Sequence, residues 1–140
     1  MSNLTTDLLN YAFDHGIKYV LTTKLTPLTP SIADPTKRKI LINLNWHHPG
    51  ELPRLISHEI GHVLNHDSGI LYFVSPTAHS KIEVAADVTG LKILLPMYYD
   101  RYFDTIDSHN INYDTVMTQL CIPDRLSKYV KKITNDYLTK

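Results

Sequence analysis

Leu55-Ile56-Ser57-His58-Glu59-Ile60-Gly61-His62-Val63-Leu64 places the pattern His-Glu-x-x-His inside an apolar helical frame. Leu52, Leu55, Ile56, Ile60, Val63 and Leu64 recur at helical spacing, so this helix turns one face to a core. Pro53 suits a first helical turn, and Asp67-Ser68-Gly69 supplies a stop. Residues four apart on a helix share a face, with Cβ atoms roughly 5–6 Å apart. His58 and His62 can therefore aim two imidazole nitrogens at one ion, and zinc takes such ligands at about 2.0–2.1 Å. Glu59 stands about 100° further around the helix. There its carboxylate sits beside the ion and can take a proton from an attacking water. The rival reading is a buried helix with two satisfied histidines. Glu59 argues against it, because a carboxylate on an apolar helix is rarely buried unless it is paired or serves a site.

Two histidines do not complete a catalytic zinc site, which uses three protein ligands. A third histidine six residues after His62, preceded by a glycine, is one route, but Asn65 and Ser68 occupy those positions. The other route is a glutamate on a following helix. Glu83 fits, and Asp87, four residues on, shares its face and can accept the second ring N–H of a ligand histidine. Ser80-Lys81-Ile82-Glu83 also reads as a capping box, in which Glu83 only closes the start of a helix. Asp87 stands among Ala85, Ala86, Val88 and Leu91, where helix propensity gives it no reason to be. His66 lies one turn past His62 and is read as structural. His79, four residues before Glu83, is a candidate to steady a transition-state oxyanion. His15, His47, His48 and His109 have no partner pattern and default to surface or loop positions.

The remaining pattern sets these residues in an α+β chain. Leu4, Leu8, Leu9, Ala12 and Phe13 predict a helix over 4–15, stopped at Gly16. Ile17, Tyr19 and Leu21 alternate as in a strand. Residues 24–37 carry Pro27, Pro30 and Pro35 and read as an irregular loop with a short edge strand at Ser31–Ala33. Lys39–Leu44 reads as a buried strand, and Ile70–Val74 as another short one closed by Pro76. A second strong helix is expected over 79–95, stopped by Pro96, and further helices over 97–106, 112–121 and 123–138. Tyr98, Tyr99, Tyr102 and Phe103 form an aromatic stripe that reads first as core and second as the lining of a groove. The class is a small sheet beside a helical body.

The 140 residues suit one domain, 1–140, large enough for a real core without staples. Fourteen basic and fourteen acidic residues cancel, which removes any global pull toward nucleic acid or a membrane surface. The balance is uneven: five basic and two acidic residues follow from Asp124 onward, a local net of +3. The single cysteine, Cys121, reads as a buried thiol in a reducing compartment. Asp7 interrupts the N-terminus, so no signal peptide is expected, and no apolar run approaches the roughly 18 residues of a membrane span. A cytoplasmic protein is the expectation.

His58-Glu59-Ile60-Gly61-His62, then Glu83-x-x-x-Asp87, then Ile93-Leu94-Leu95-Pro96, resembles the ImmA/IrrE group of small zinc metallopeptidases. Ile40-Leu41-Ile42-Asn43 ahead of the motif helix agrees, and the resemblance covers roughly residues 8–130. The family's second motif usually has asparagine at the position of Asp87 and a glutamate-alanine pair at Ala85-Ala86; neither departure touches the ligands. The resemblance implies a zincin-type body, gluzincin-like in its ligand set, with Zn2+ held by His58, His62 and Glu83. It divides the chain into a catalytic core over 1–107 and a helical, helix-turn-helix-like segment over 108–140. It also implies a cytoplasmic protease of phages, mobile elements or stress systems that cuts a helix-turn-helix repressor and so relieves repression.

The +3 of the C-terminal segment is small for phosphate-driven DNA binding, so packing or protein docking is its expected role. The expected chemistry is metal-assisted peptide hydrolysis with Glu59 as acid–base group. The alternative is a non-catalytic zinc-containing module that holds a repressor or antitoxin. Glu59 speaks against that, since a closed structural site needs no carboxylate beside an open position.

Overall fold

The apolar run at Lys39–Leu44 forms the middle strand of a three-stranded mixed sheet in the computed structural model, which describes residues 2–66, 76–103 and 111–140, with side chains left out for 76–79. Strand β3 (Lys39–Asn43) runs parallel to β1 (Lys18–Thr22), with Tyr19 opposite Ile40. It runs antiparallel to β2 (Ile32–Asp34), with Ala33 opposite Ile40. Ile40 and Ile42 are fully buried, which is why the middle position falls to this strand. The expected edge strand is present, one residue later than its reading from sequence.

Buried Asn43 organises the proline-rich loop before β2. Its Nδ2 donates to the carbonyls of Thr26 and Thr29 at 2.9 and 2.8 Å, and its Oδ1 accepts from Asn45 N–H at 2.9 Å. The loop therefore has a fixed path although its residues favour neither helix nor strand.

Helix α1 (Asn3–Asp14) starts where Ser2 Oγ accepts from Thr5 N–H at 3.1 Å. It stops before Gly16, whose φ of 71° is easiest for a residue without a Cβ. Helix α2 (Leu52–Leu64) carries the His-Glu-x-x-His motif and has Pro53 in its first turn. It ends earlier than expected. Asn65 closes it and His66 turns left-handed, with φ 58°. His66 thus leaves the ligand face altogether and is exposed. Asp67-Ser68-Gly69 and the expected strand at 70–74 lie outside the described residues.

Helix α3 (Pro76–Tyr102) departs most from expectation, at both ends. It starts three residues before the expected helix, with Pro76 in the first position, where the missing N–H costs nothing. It also runs through Pro96 instead of stopping there, absorbing most of the separate helix expected over 97–106. A proline inside a helix costs about 3 kcal/mol. The turn beyond it buries Tyr98 and Tyr99, and full burial of a large side chain stabilises by about 1.5–3 kcal/mol each, enough to offset that cost. Tyr99 Oη hydrogen-bonds Thr134 Oγ1 at 2.7 Å, and Arg101 clamps both oxygens of Asp7 at 2.7 Å.

Helix α4 (Tyr113–Gln119) is capped by Asn112 and ends two residues short of the expected 121, where Cys121 takes φ 55°. A 3-10 turn (Asp124–Leu126) leads into α5 (Ser127–Leu138), which packs Val130 and Ile133 toward the core. The α+β class holds: one small mixed sheet and five helices among the described residues. No described helix is long and apolar enough to cross a membrane.

Helices α2 and α3 meet backbone to backbone. A Cβ on Gly61 would lie 2.3 Å from the Ala86 carbonyl oxygen, and one on Gly90 would lie 2.7 Å from that of Ser57. Alanine normally favours a helix over glycine by about 1 kcal/mol. Here Gly61→Ala should instead lower unfolding stability by about 1–3 kcal/mol or more, the scale of overpacking, because a carbonyl cannot swing aside as a side chain tip can. Gly90→Ala should behave alike. Denaturant titration checks both, and a stabilised variant would show that the helices are not in this contact.

Candidate metal centre

The close crossing of α2 and α3 sets two pairs of side chains face to face. Each pair is spaced by four residues, so each projects from one helical stripe: His58 and His62 from α2, Glu83 and Asp87 from α3. His58 Nε2 lies 2.7 Å from Glu83 Oε2, His62 Nε2 lies 2.8 Å from the same oxygen, and the two Nε2 atoms are 3.1 Å apart. The rings stand nearly perpendicular, at 89°, so both nitrogens converge on one point without stacking.

Because α3 begins at Pro76, Glu83 sits two turns inside it and not at its start. The capping-box reading is thereby excluded, and the glutamate spends its carboxylate on the histidines. Asp87 stands on the far side of His58, accepting from Nδ1–H at 2.8 Å. That bond holds a proton on Nδ1, so loss of the other ring proton frees the lone pair of Nε2, the nitrogen facing Glu83, for an ion.

Three donor atoms so close together suit a small cation. Ligands at about 2.0–2.1 Å in a tetrahedron are roughly 3.3 Å apart, against 2.7–3.1 Å in this cluster. His58, His62 and Glu83 can together hold a metal ion, and two imidazoles with one carboxylate are a donor set that zinc accepts. Glu83 is about one-third exposed while His62 is buried, so the cluster opens to solvent on the α3 side.

Electrostatics follow from the same packing. Burial disfavours a charged His58, but hydrogen bonds to Asp87 and Glu83 outweigh it and hold the imidazole up to about 9. Hydrogen bonds from both histidines keep Glu83 well below the ordinary carboxylate range. Burial works against Asp87 as an anion, yet His58 and Arg125 keep it below its usual value. Glu59 behaves oppositely. It is 9% exposed, and burial pushes it up to about 7 although both histidines pull it down.

Motif reading overlooked two participants. Arg125 donates from Nη1 to Asp87 Oδ2 at 3.1 Å, and Arg54 Nη1 lies 3.9 Å from Asp87 Oδ1. Arg54 precedes His58 by one turn, a signal available from spacing alone. Arg125 comes 38 residues after Asp87, and no local pattern joins them.

The side chain of His79, expected near the cleft, lies outside the described residues, as does His109. His15 and His47 use Nδ1 on the carbonyls of Tyr11 and Pro27, at 2.8 and 3.2 Å, and His48 is exposed beside Glu51. Of the aromatic stripe, Tyr98 and Tyr99 are core, while Tyr98, Tyr102 and Phe103 line a cavity of about 540 Å³ that none of His58, His62, Glu83 or Asp87 lines. Comparison with family models, curated proteins and solved structures returned no match.

The proton on His58 and a metal ion compete for one nitrogen. His58 rises from 6.5 to about 9 in the folded chain, so ion binding at neutral pH must expel about one proton. Affinity for Zn2+ should therefore climb about tenfold per pH unit from neutrality and level off near pH 9. Competition against a chelator of known protonation behaviour checks this. A pH-independent affinity over that window would mean that Asp87 and Glu83 do not hold a proton on His58 in the ion-free site.

Proposed function

We propose that this chain is a zinc-dependent endopeptidase with a zincin-type body, and that it cleaves a helix-turn-helix transcriptional repressor in the cytoplasm. The observation that carries the enzymatic reading is the three-atom cluster of His58, His62 and Glu83 with buried Glu59 next to it on the same helix. A structural clip needs the cluster alone. The buried carboxylate has no such explanation, and its desolvation must be repaid by work at the site. The substrate class follows from the resemblance of the His58–His62 and Glu83–Asp87 motifs to repressor-cleaving peptidases.

Zinc, when bound, supplies Lewis acidity: it lowers the pKa of water toward about 7 and polarises a carbonyl. The chain's own residues do the rest. His58, His62 and Glu83 hold the ion. Asp87 keeps His58 in the tautomer that offers Nε2. Glu59 takes a proton from the attacking water as the new C–O bond forms. It returns that proton to the amide nitrogen as the C–N bond breaks, so the products are a carboxylate and an amine. A carboxylate held up to about 7 is matched to both halves of this task near neutral pH.

Glu59→Gln keeps the shape and the hydrogen bonding of the side chain but cannot accept the proton. The variant should fold, load zinc to wild-type stoichiometry and lose about 10²–10⁴-fold in cleavage rate. The assay mixes purified protein with candidate helix-turn-helix repressors and follows fragments on a gel. Cleavage by Glu59→Gln at the wild-type rate would remove Glu59 from the chemistry. Tight binding of a repressor by both proteins without any cutting would replace the enzyme with a binding module.

A further inference from the structure

The Asp87 carboxylate is shared between two parts of the chain. One oxygen faces His58 Nδ1 at 2.8 Å, and the other accepts from Arg125 Nη1 at 3.1 Å. Arg125 belongs to the 3-10 turn between α4 and α5. The same connector makes a second link, since the carbonyl of Cys121 accepts from Arg54 Nε at 3.0 Å. Arg54 in turn lies 3.9 Å from Asp87. The connector can reach Arg54 because Cys121 takes a left-handed φ of 55°, which lets the Ile122 N–H return to the Met117 carbonyl at 2.8 Å. Two arginines and one strained turn thus converge on a single buried aspartate.

We infer that Arg125 is a positioning residue for the metal centre: it fixes the Asp87 carboxylate, which fixes the His58 ring, so the C-terminal connector sets how well His58, His62 and Glu83 hold an ion. This rests on the proposed metal site. Asp87 is 4% exposed at its side chain, so an oxygen robbed of its donor there is left unsatisfied and the carboxylate turns to find another. His58 then loses its orienting acceptor. The arginine itself is 56% exposed, so its charge alone is largely screened at the ion.

The sign of the effect separates positioning from simple charge. Deleting a cation near a metal site should tighten metal binding by Coulomb's law. Loss of positioning should weaken it. The experiment measures Zn2+ affinity by chelator competition on full-length wild type, Arg125→Ala, Arg125→Lys, Asp87→Ala and the double variant Arg125→Ala/Asp87→Ala. Circular dichroism and thermal melting confirm folding. Loss of an outer partner of a ligand histidine costs about 10–100-fold, and Arg125 acts one step further out through an exposed group, so about 3–10-fold weakening is expected for Arg125→Ala. Arg125→Lys should recover part of it. In the Asp87→Ala background, removing Arg125 should cost nothing further, because the two act as one unit. Unchanged or tighter binding by Arg125→Ala, or losses that add fully in the double variant, would overturn the inference while leaving the metal site standing. A wild type that binds no Zn2+ would overturn both.

Discussion

The close contact between the backbones of α2 and α3 is the constraint from which the rest of this structure follows. Gly61 meets the Ala86 carbonyl, and Gly90 meets that of Ser57. Any side chain at either glycine would hold the helices apart, and Glu83 would then fall short of His58 and His62. The glycines are unfavourable within a helix by about 1 kcal/mol each. They remain tolerable because Ile56, Ile60, Val63, Leu91, Leu94 and Leu95 bury fully or almost fully around the same crossing.

That proximity creates an electrostatic problem and solves it outward in layers. Glu59, His62 and Asp87 are all buried, each against the usual preference of such groups for water. Without a metal, a proton on His58 supplies the positive charge between Glu83 and Asp87, and the pKa directions of all three groups express that sharing. Beyond Asp87 the compensation passes to Arg125 and Arg54, which reach the surface and the C-terminal connector. At Glu59 burial outweighs the pull of both histidines, and its carboxyl is pushed toward neutrality.

What could be read from sequence was whatever has a short period. The motif helix, the Glu83–Asp87 pair and the central strand are each written within a few residues by spacing and apolar alternation. Gly16 as a stop was equally legible, because positive φ has few alternatives. The failures share one cause, which is that distant packing overrode a local rule. Pro96 forbids a helix locally, but the buried tyrosines beyond it hold the helix together. Ser80–Glu83 spells a capping box, but the helix starts at Pro76 and the glutamate serves histidines 21 and 25 residues upstream. Asn43 ties down a loop whose own residues specify nothing, and Arg125 reaches Asp87 from a segment whose charge pattern suggested no more than packing or protein docking. The glycines inside α2 and α3 were an overlooked clue, since glycine within a helix marks a close approach of backbones.

The central claim is that His58, His62 and Glu83 form one metal centre, and X-ray absorption at the zinc K-edge tests it most directly. Protein loaded with one equivalent of Zn2+ should show a four-coordinate shell of nitrogen and oxygen at about 2.0–2.1 Å, with the outer scattering of two imidazoles and no sulfur. Replacing Glu83 by alanine should remove one light ligand and leave both imidazoles in place. A six-coordinate shell without imidazole scattering, or a sulfur contribution at about 2.3 Å from Cys121, would contradict the account.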